Sequence, residues 1–180
     1  MNVKSLSLNK NLSLYAQAGL VIAASMILAL AANVKIPTMP IPFTLQTLAV
    51  ALIGASLGSR MGVLAVVTYI AQGLSGLPVF AGVSFGLAYL VSPSFGYILS
   101  FIISIALIGY VARRNTLVLC VGIVSAFQIN LLGGSLWLSA FLGSISAGFT
   151  LGYIPFAVIE LFKACAAITI ILAARRILRK

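Results

Sequence analysis

Long apolar runs punctuated by small basic groups are the feature that most limits what this chain can fold into. The basic residues fall as Lys4 and Lys10, Lys35, Arg60, Arg113 with Arg114, Lys163, and a closing group of Arg175, Arg176, Arg179 and Lys180. Several of the stretches between them approach the ~20 apolar residues that a helix needs to cross the hydrocarbon core. Only 7% of residues are charged against 62% hydrophobic, so a water-facing surface of ordinary charge density cannot be assembled. The reading is an all-α integral membrane protein, one membrane domain over residues 1–180.

Six transmembrane helices are expected, over about residues 14–34, 43–57, 61–74, 95–112, 116–132 and 153–174. An even number puts both termini on one side, and the basic residues test that. Lys4, Lys10, Arg60, Arg113, Arg114, Arg175, Arg176, Arg179 and Lys180 then share the side of the termini, and Lys35 stands alone opposite. Because Lys and Arg accumulate in cytoplasmic loops, both termini are expected to be cytoplasmic in a multi-pass protein of the cell membrane. The first span also offers a signal-peptide reading, with a basic start and Ala29-Leu30-Ala31 as a cleavage site. Its apolar stretch exceeds the ~7–15 residues of a signal core, so a retained span is expected.

The same inventory removes whole classes of chemistry. With a single acidic residue, Glu160, and no histidine, paired-carboxylate catalysis, a Ser-His-Asp triad and a His-containing metal site are excluded. No cofactor or metal is expected, and the chain is not read as an enzyme. The net charge of +10 is split into small groups rather than gathered in one stripe, which argues against a nucleic-acid partner. Cys120 and Cys165 fall within spans and read as small hydrophobes. There is no G-x-x-x-x-G-K-[ST] loop, so any ATP-driven step would belong to another polypeptide.

Three segments facing away from the termini carry almost no charge. Residues 33–43 hold Pro37, Pro40 and Pro42, residues 73–96 are rich in Gly, Pro and aromatics, and residues 133–152 are read as a Gly-rich loop containing Trp137. Non-helical backbone at membrane depth survives where it is buried in protein or lines a cavity, so these segments are expected to fold back over the bundle. The alternative is a set of interfacial loops anchored by Trp137 and the tyrosines.

Glu160 and Lys163 are the ionisable pair within a span, at i and i+3 on one helix face. Measured from Tyr153, they lie roughly 10 Å and roughly 15 Å down the last helix. Charges at that depth are costly and usually mark a pathway or site, and a purely structural pair would do no better than hydrophobic isosteres. Together they offer an acceptor and a donor to a small molecule with a compact polar head and an apolar body. Gln46, Tyr69, Gln72 and Tyr97 are further polar candidates. Small residues recur at four-residue spacing: Gly19 with Ala23, Ser25 with Ala29, and Gly54, Gly58 and Gly62. Such faces permit close helix approach, within the chain or to a partner. Arg60 between two of these glycines marks that stretch as a tight cytoplasmic turn.

Four motifs then point to a family: I-P-F-T-L-Q-T-L-A-V at 41–50, L-G-S-R-M-G at 57–62, G-L-S-G-L-P-V-F-A-G at 73–82 and P-S-F-G-Y-I-L-S-F at 93–101. In order and content they resemble the BioY family, the biotin-specific substrate-binding (S) components of energy-coupling-factor (ECF) transporters. The likeness runs from about residue 16 to the carboxyl terminus. It implies a six-helix S-component-like bundle that captures biotin from outside, working with a transmembrane coupling subunit and ATPase subunits. The family's D-x-x-K motif lines up with Glu160-Leu161-Phe162-Lys163, the acid here being one methylene longer. The resemblance implies that Glu160 accepts from the ureido N–H groups and that Lys163 donates to a ligand oxygen or orients Glu160. It also matches Ser84 to a polar loop position after P-V-F-A-G, and Ser25 and Ala29 to a small-residue motif used against the coupling subunit.

The leading expectation is therefore a membrane-embedded binding component for biotin uptake, coupled to a separate ATP-driven module. Alternatives are an autonomous carrier with Glu160 as a proton-linked switch, an S component for another vitamin-like substrate, and a structural subunit of a larger complex. Expected partners are biotin, membrane lipid and either the coupling and ATPase subunits or further copies of the chain.

Overall fold

In the computed structural model, residues 13–178 are described, and Lys4, Lys10, Arg179 and Lys180 lie outside the described residues. Helix α1 (Leu14–Asn33) starts where the Ser13 hydroxyl accepts from the Ala16 amide at 3.3 Å, satisfying one of the amides left free at a helix start. Its buried residues are Ala24, Ser25, Leu28 and Ala32, a narrow stripe at helical spacing, while Ile22, Met26 and Ile27 are exposed. The next segment turns back as a two-stranded ribbon, β1 (Lys35–Ile36) against β2 (Phe43–Thr44), with Lys35 opposite Thr44.

Helix α2 (Gln46–Leu74) is not one rod. Gly58 has φ 78° and ψ 175°, a conformation that favours glycine. The chain reverses there, because Gln46 Nε2 donates to the Tyr69 hydroxyl at 2.9 Å, whereas 23 residues of straight helix would separate them by roughly 34 Å. Gly54 and Gly62 face each other near this turn, both against Ile105. The glycine spacing thus serves helix packing inside the chain, and the turn expected around Arg60 is present.

A loop with a short 3-10 helix (Leu87–Val91) leads to α3 (Phe95–Val111), followed by α4 (Thr116–Leu142), α5 (Ile145–Gly152) and α6 (Ile154–Ile177). Asn115 caps the start of α4, its side-chain oxygen accepting from the Val118 amide at 2.9 Å, and Gly143 ends the helix with φ 68°. Ser144 then caps α5 by accepting from the Ala147 amide.

Two expectations bear on this architecture, and the first needs correction. Residues 133–152 are not an irregular loop: α4 continues ten residues past 132, and α5 follows after a short break. Gly133 and Gly134 read as breakers, yet they are sites of close approach to α3. A Cβ on Gly134 would lie 2.2 Å from the Tyr97 ring, and one on Gly133 would lie 2.1 Å from Ser100 Oγ. The second concerns the number of spans. Among the described residues, four helical stretches have the length and apolarity to cross a membrane: Leu14–Asn33, Gln46–Leu74, Thr116–Leu142 and Ile145–Ile177. Helix α3 is apolar but has 17 residues, and the halves of α2 are shorter still because they divide one 29-residue stretch at Gly58.

Candidate functional site

Helix α6 explains why the charged pair points inward. Its buried residues are Phe156, Glu160, Ala164, Ala167, Ile171 and Arg175, every third or fourth position, so they form one stripe against α2 and α4. Glu160 is 3% exposed, and Lys163 lies at the edge of that stripe.

Lys163 Nζ donates to the Thr44 carbonyl at 2.8 Å, to Thr47 Oγ1 at 2.9 Å and to Glu160 Oε1. An ammonium has three protons, and all three are used. Glu160 Oε2, by contrast, is buried without a hydrogen-bond partner. The lysine therefore orients and neutralises the carboxylate, and one carboxylate oxygen stays available as an acceptor. A buried acceptor left without a donor costs about 1–3 kcal/mol, more when charged, and an N–H of a bound molecule would recover that.

That oxygen belongs to a residue lining a cavity with about 490 Å³ of unfilled space, its open mouth included. Pro42, Thr44 and Thr47 form one side, Phe156 and Tyr97 another, and Asn130 of α4 lies among them. Asn130 is 3% exposed and its Oδ1 is likewise unpartnered, a second acceptor without a donor. The walls are mostly apolar and aromatic: the Tyr97 and Phe156 rings are 6.3 Å apart, and Phe43, outside the lining, packs on Phe156 at 4.2 Å. Few convergent polar groups among apolar walls describe a small-molecule site.

The segment 75–94 folds back over the bundle, as its lack of charge suggested. Phe80 is fully buried, stacked on Tyr89 at 4.3 Å and edge-on to Tyr69 at 5.5 Å. It presses on Gly73, where a Cβ would lie 2.1 Å from the ring. Ala81, Tyr89 and Ser94 of this segment line the cavity. Burial pushes the Tyr89 phenol above its ordinary value, against hydrogen bonds with Ser94 and Ser92, so it serves as a neutral hydroxyl. Trp137 donates to the Ser92 carbonyl at 2.9 Å, which ties the segment to α4. Asn33 Oδ1 accepts from the Val83 amide at 3.3 Å, joining the end of α1 to the same flap.

The sequence pattern of the BioY family matches residues 3–180. The chain belongs to the BioY family. It is 35% identical over 139 residues to the probable biotin transporter BioY of Pyrococcus horikoshii, covering 77% of this chain and 83% of that one. It is also 35% identical over 147 residues to the biotin transporter BioY of Thermotoga maritima, covering 80% and 86%. With biotin transporter BioY2 of Lactococcus lactis the identity is 33% over 163 residues, 86% and 87% of the two chains. The fold is similar to the crystal structure at 2.1 Å of the S-component for biotin from an ECF-type ABC transporter, with a TM-score of 0.73, 22% identity and 92% of each chain covered.

Within this BioY-family chain the candidates from sequence separate into groups. Glu160, Lys163, Gln46 and Tyr97 line the cavity. Tyr97 donates to the Gly152 carbonyl at 2.8 Å, and so fixes the junction of α5 and α6. Tyr69 is fully buried one layer behind, where it accepts from Gln46. Gln72, on the same half-helix, is not among the lining residues. Neither is Ser84, whose hydroxyl donates to the Ala81 carbonyl at 3.2 Å within its own turn. On α1, Gly19 and Ala23 are exposed, Ser25 is fully buried with its hydroxyl on the Ile22 carbonyl, and Ala29 packs against the core. Asn130, Thr44 and Thr47 were not anticipated. Two uncharged amides close together, Gln128 and Asn130, in a mostly apolar helix were the available signal for Asn130.

Proposed function

We propose that this chain binds biotin in the cavity beside Glu160 and serves as the membrane-embedded binding component for biotin uptake. One observation carries the reading: a carboxylate held by a saturated lysine, with its second oxygen buried, unpartnered and part of a cavity wall. Biotin carries a ureido head with two N–H donors on a compact apolar ring system. Glu160 Oε2 accepts from that head, Asn130 Oδ1 provides a second acceptor, and Phe156 and Tyr97 supply contact area for the rings. Lys163 acts through Glu160 rather than on the ligand. The flap carrying Ala81 and Tyr89 closes the mouth, and opening it admits substrate.

Six spans with both termini cytoplasmic remain the topology we favour. The nine basic residues on the side of the termini support it, as does the reversal of α2 at Gly58. That orientation places the cavity toward the outside of the cell membrane. Uptake is coupled to a separate ATP-driven module through a transmembrane coupling subunit, for which the exposed small residues Gly19 and Ala23 provide a close-approach face. Equilibrium binding of labelled biotin to the purified chain tests the ligand. Uptake by proteoliposomes holding this chain alone tests the coupling, since accumulation under a pH gradient without ATPase subunits would favour an autonomous carrier.

A further inference from the structure

The end of the bundle opposite the cavity holds a second feature, unconnected with biotin. Gly58, Ser59 and Arg60 at the turn of α2, with Gly109, Tyr110, Arg113 and Arg114 at the end of α3, surround a pocket of about 850 Å³, open mouth included. Three arginines line it. Arg114 donates to the Tyr110 hydroxyl at 2.6 Å and lies 4.8 Å from its ring centroid. Among the described residues, no hydrogen bond or ion pair holds Arg60 or Arg113. The only acidic side chain, Glu160, is committed to Lys163. It lies fifteen residues up α6 from Arg175, whose guanidinium donates to the Ala112 and Arg114 carbonyls, so roughly 22 Å of helix separates the two ends. No carboxylate side chain of this chain can neutralise the pocket. The second half of α2 also begins there, and its dipole adds positive potential.

The chemistry that fits is a phosphate-bearing anion, because guanidinium groups match phosphate oxygens with paired donors. Its surroundings choose among sources. Exposed residues on the second half of α2 run Arg60, Leu64, Val67 and Ala71, and on α3 they run Tyr110, Ile103 and Leu99. Each is a stripe at helical spacing that starts at the pocket and continues as apolar side chains. A free anion has no use for these stripes, whereas acyl chains do. Basic pockets between helix ends on the cytoplasmic side are suited to acidic headgroups.

We infer that this pocket binds the phosphate of an anionic phospholipid, its acyl chains lying along the exposed faces of α2 and α3. The test compares thermal stability and native mass spectra of the purified chain in micelles containing phosphatidylglycerol, phosphatidylcholine or inorganic phosphate alone. Phosphatidylglycerol is expected to give saturable stabilisation and retained adducts, and phosphatidylcholine neither. The R60Q/R113Q/R114Q variant is expected to lose about fivefold in affinity per guanidinium, about 100-fold in total. Arg176→Gln, which removes an exposed charge outside the pocket lining, controls for bulk attraction and is expected to change affinity less than about twofold, against about fivefold for each pocket guanidinium. An unchanged melting point in phosphatidylcholine micelles establishes that the variant is folded. Equal effects of both lipids, undiminished binding by the variant, or a loss of about fivefold in the control would overturn the site. Saturation by inorganic phosphate at the same concentration would overturn the lipid as its source.

Discussion

The two ends of this bundle handle charge in opposite ways. At the cavity, a buried carboxylate is paired with a partly buried ammonium, with Thr44 and Thr47 taking the remaining ammonium protons. At the far end, exposed guanidiniums ring an open pocket with no carboxylate side chain to meet them. Solvation accounts for the difference. Removing an ion pair from water costs several kcal/mol per ion, recovered only with good geometry and further hydrogen bonds, so the buried end has to be specified atom by atom. Charges at the exposed end are screened over about 8–10 Å and worth little individually. What matters there is their sign and number. A buried pair can discriminate one small molecule, while an open basic pocket attracts a class of them.

The largest expected effect breaks the buried end. Glu160→Ala leaves Lys163 buried without its countercharge, and Lys163→Ala does the same to the carboxylate, a loss of about 3–5 kcal/mol for such pairs. That is a cost in stability; for binding, a hydrogen bond to a charged acceptor is worth about 1.5–3 kcal/mol, so each variant is expected to bind labelled biotin about 10- to 100-fold more weakly. Wild-type affinity in both would return the pair to a structural role. Gly134→Ala tests whether the cavity wall depends on close helix approach. Its new methyl collides with the Tyr97 ring, and overpacking of this kind costs about 1–3 kcal/mol. A lowered melting temperature is expected, whereas Gly19→Ala, which meets nothing within 4 Å inside α1, is expected to hold or raise it, since Ala is favoured over Gly in a helix by about 0.5–1 kcal/mol.

Asn130→Ala sharpens the comparison further. It removes an unpartnered buried acceptor, so stability is expected to hold or rise. Biotin affinity is expected to fall about fivefold to tenfold, the worth of one hydrogen bond. A merely structural asparagine would give the reverse pattern. The smallest effect is at the far end: R60Q/R113Q/R114Q is expected to bind biotin within about twofold of wild type, since the ends are more than a Debye length apart. A larger change would mean that the two ends communicate.

What could be read from the sequence depended on how costly each residue is in an apolar setting. Glu160 and Lys163 stood out because charge inside an apolar helix demands a reason. The turn near Arg60 was legible because glycines flanked a charge. Glycine alone misled, since Gly133 and Gly134 look alike whether they end a helix or let a neighbour in, and only the packing of Tyr97 and Ser100 on α4 decides. Neutral polar residues gave weak signals. Gln46 and Tyr69 belong to one hydrogen-bonded pair, yet only Gln46 reaches the cavity, and periodicity does not resolve one layer of depth. Thr44 and Thr47 escaped notice because their role, saturating Lys163, depends on a contact across more than a hundred residues of chain.

The central claim is that an oriented carboxylate with one free oxygen forms the biotin site. Its most direct test is equilibrium binding of labelled biotin to the purified chain without other subunits, beside Glu160→Ala under identical conditions. The account predicts saturable submicromolar binding by the wild type and its loss in the variant. Absence of saturable binding better than micromolar, or equal binding by the variant, would contradict it.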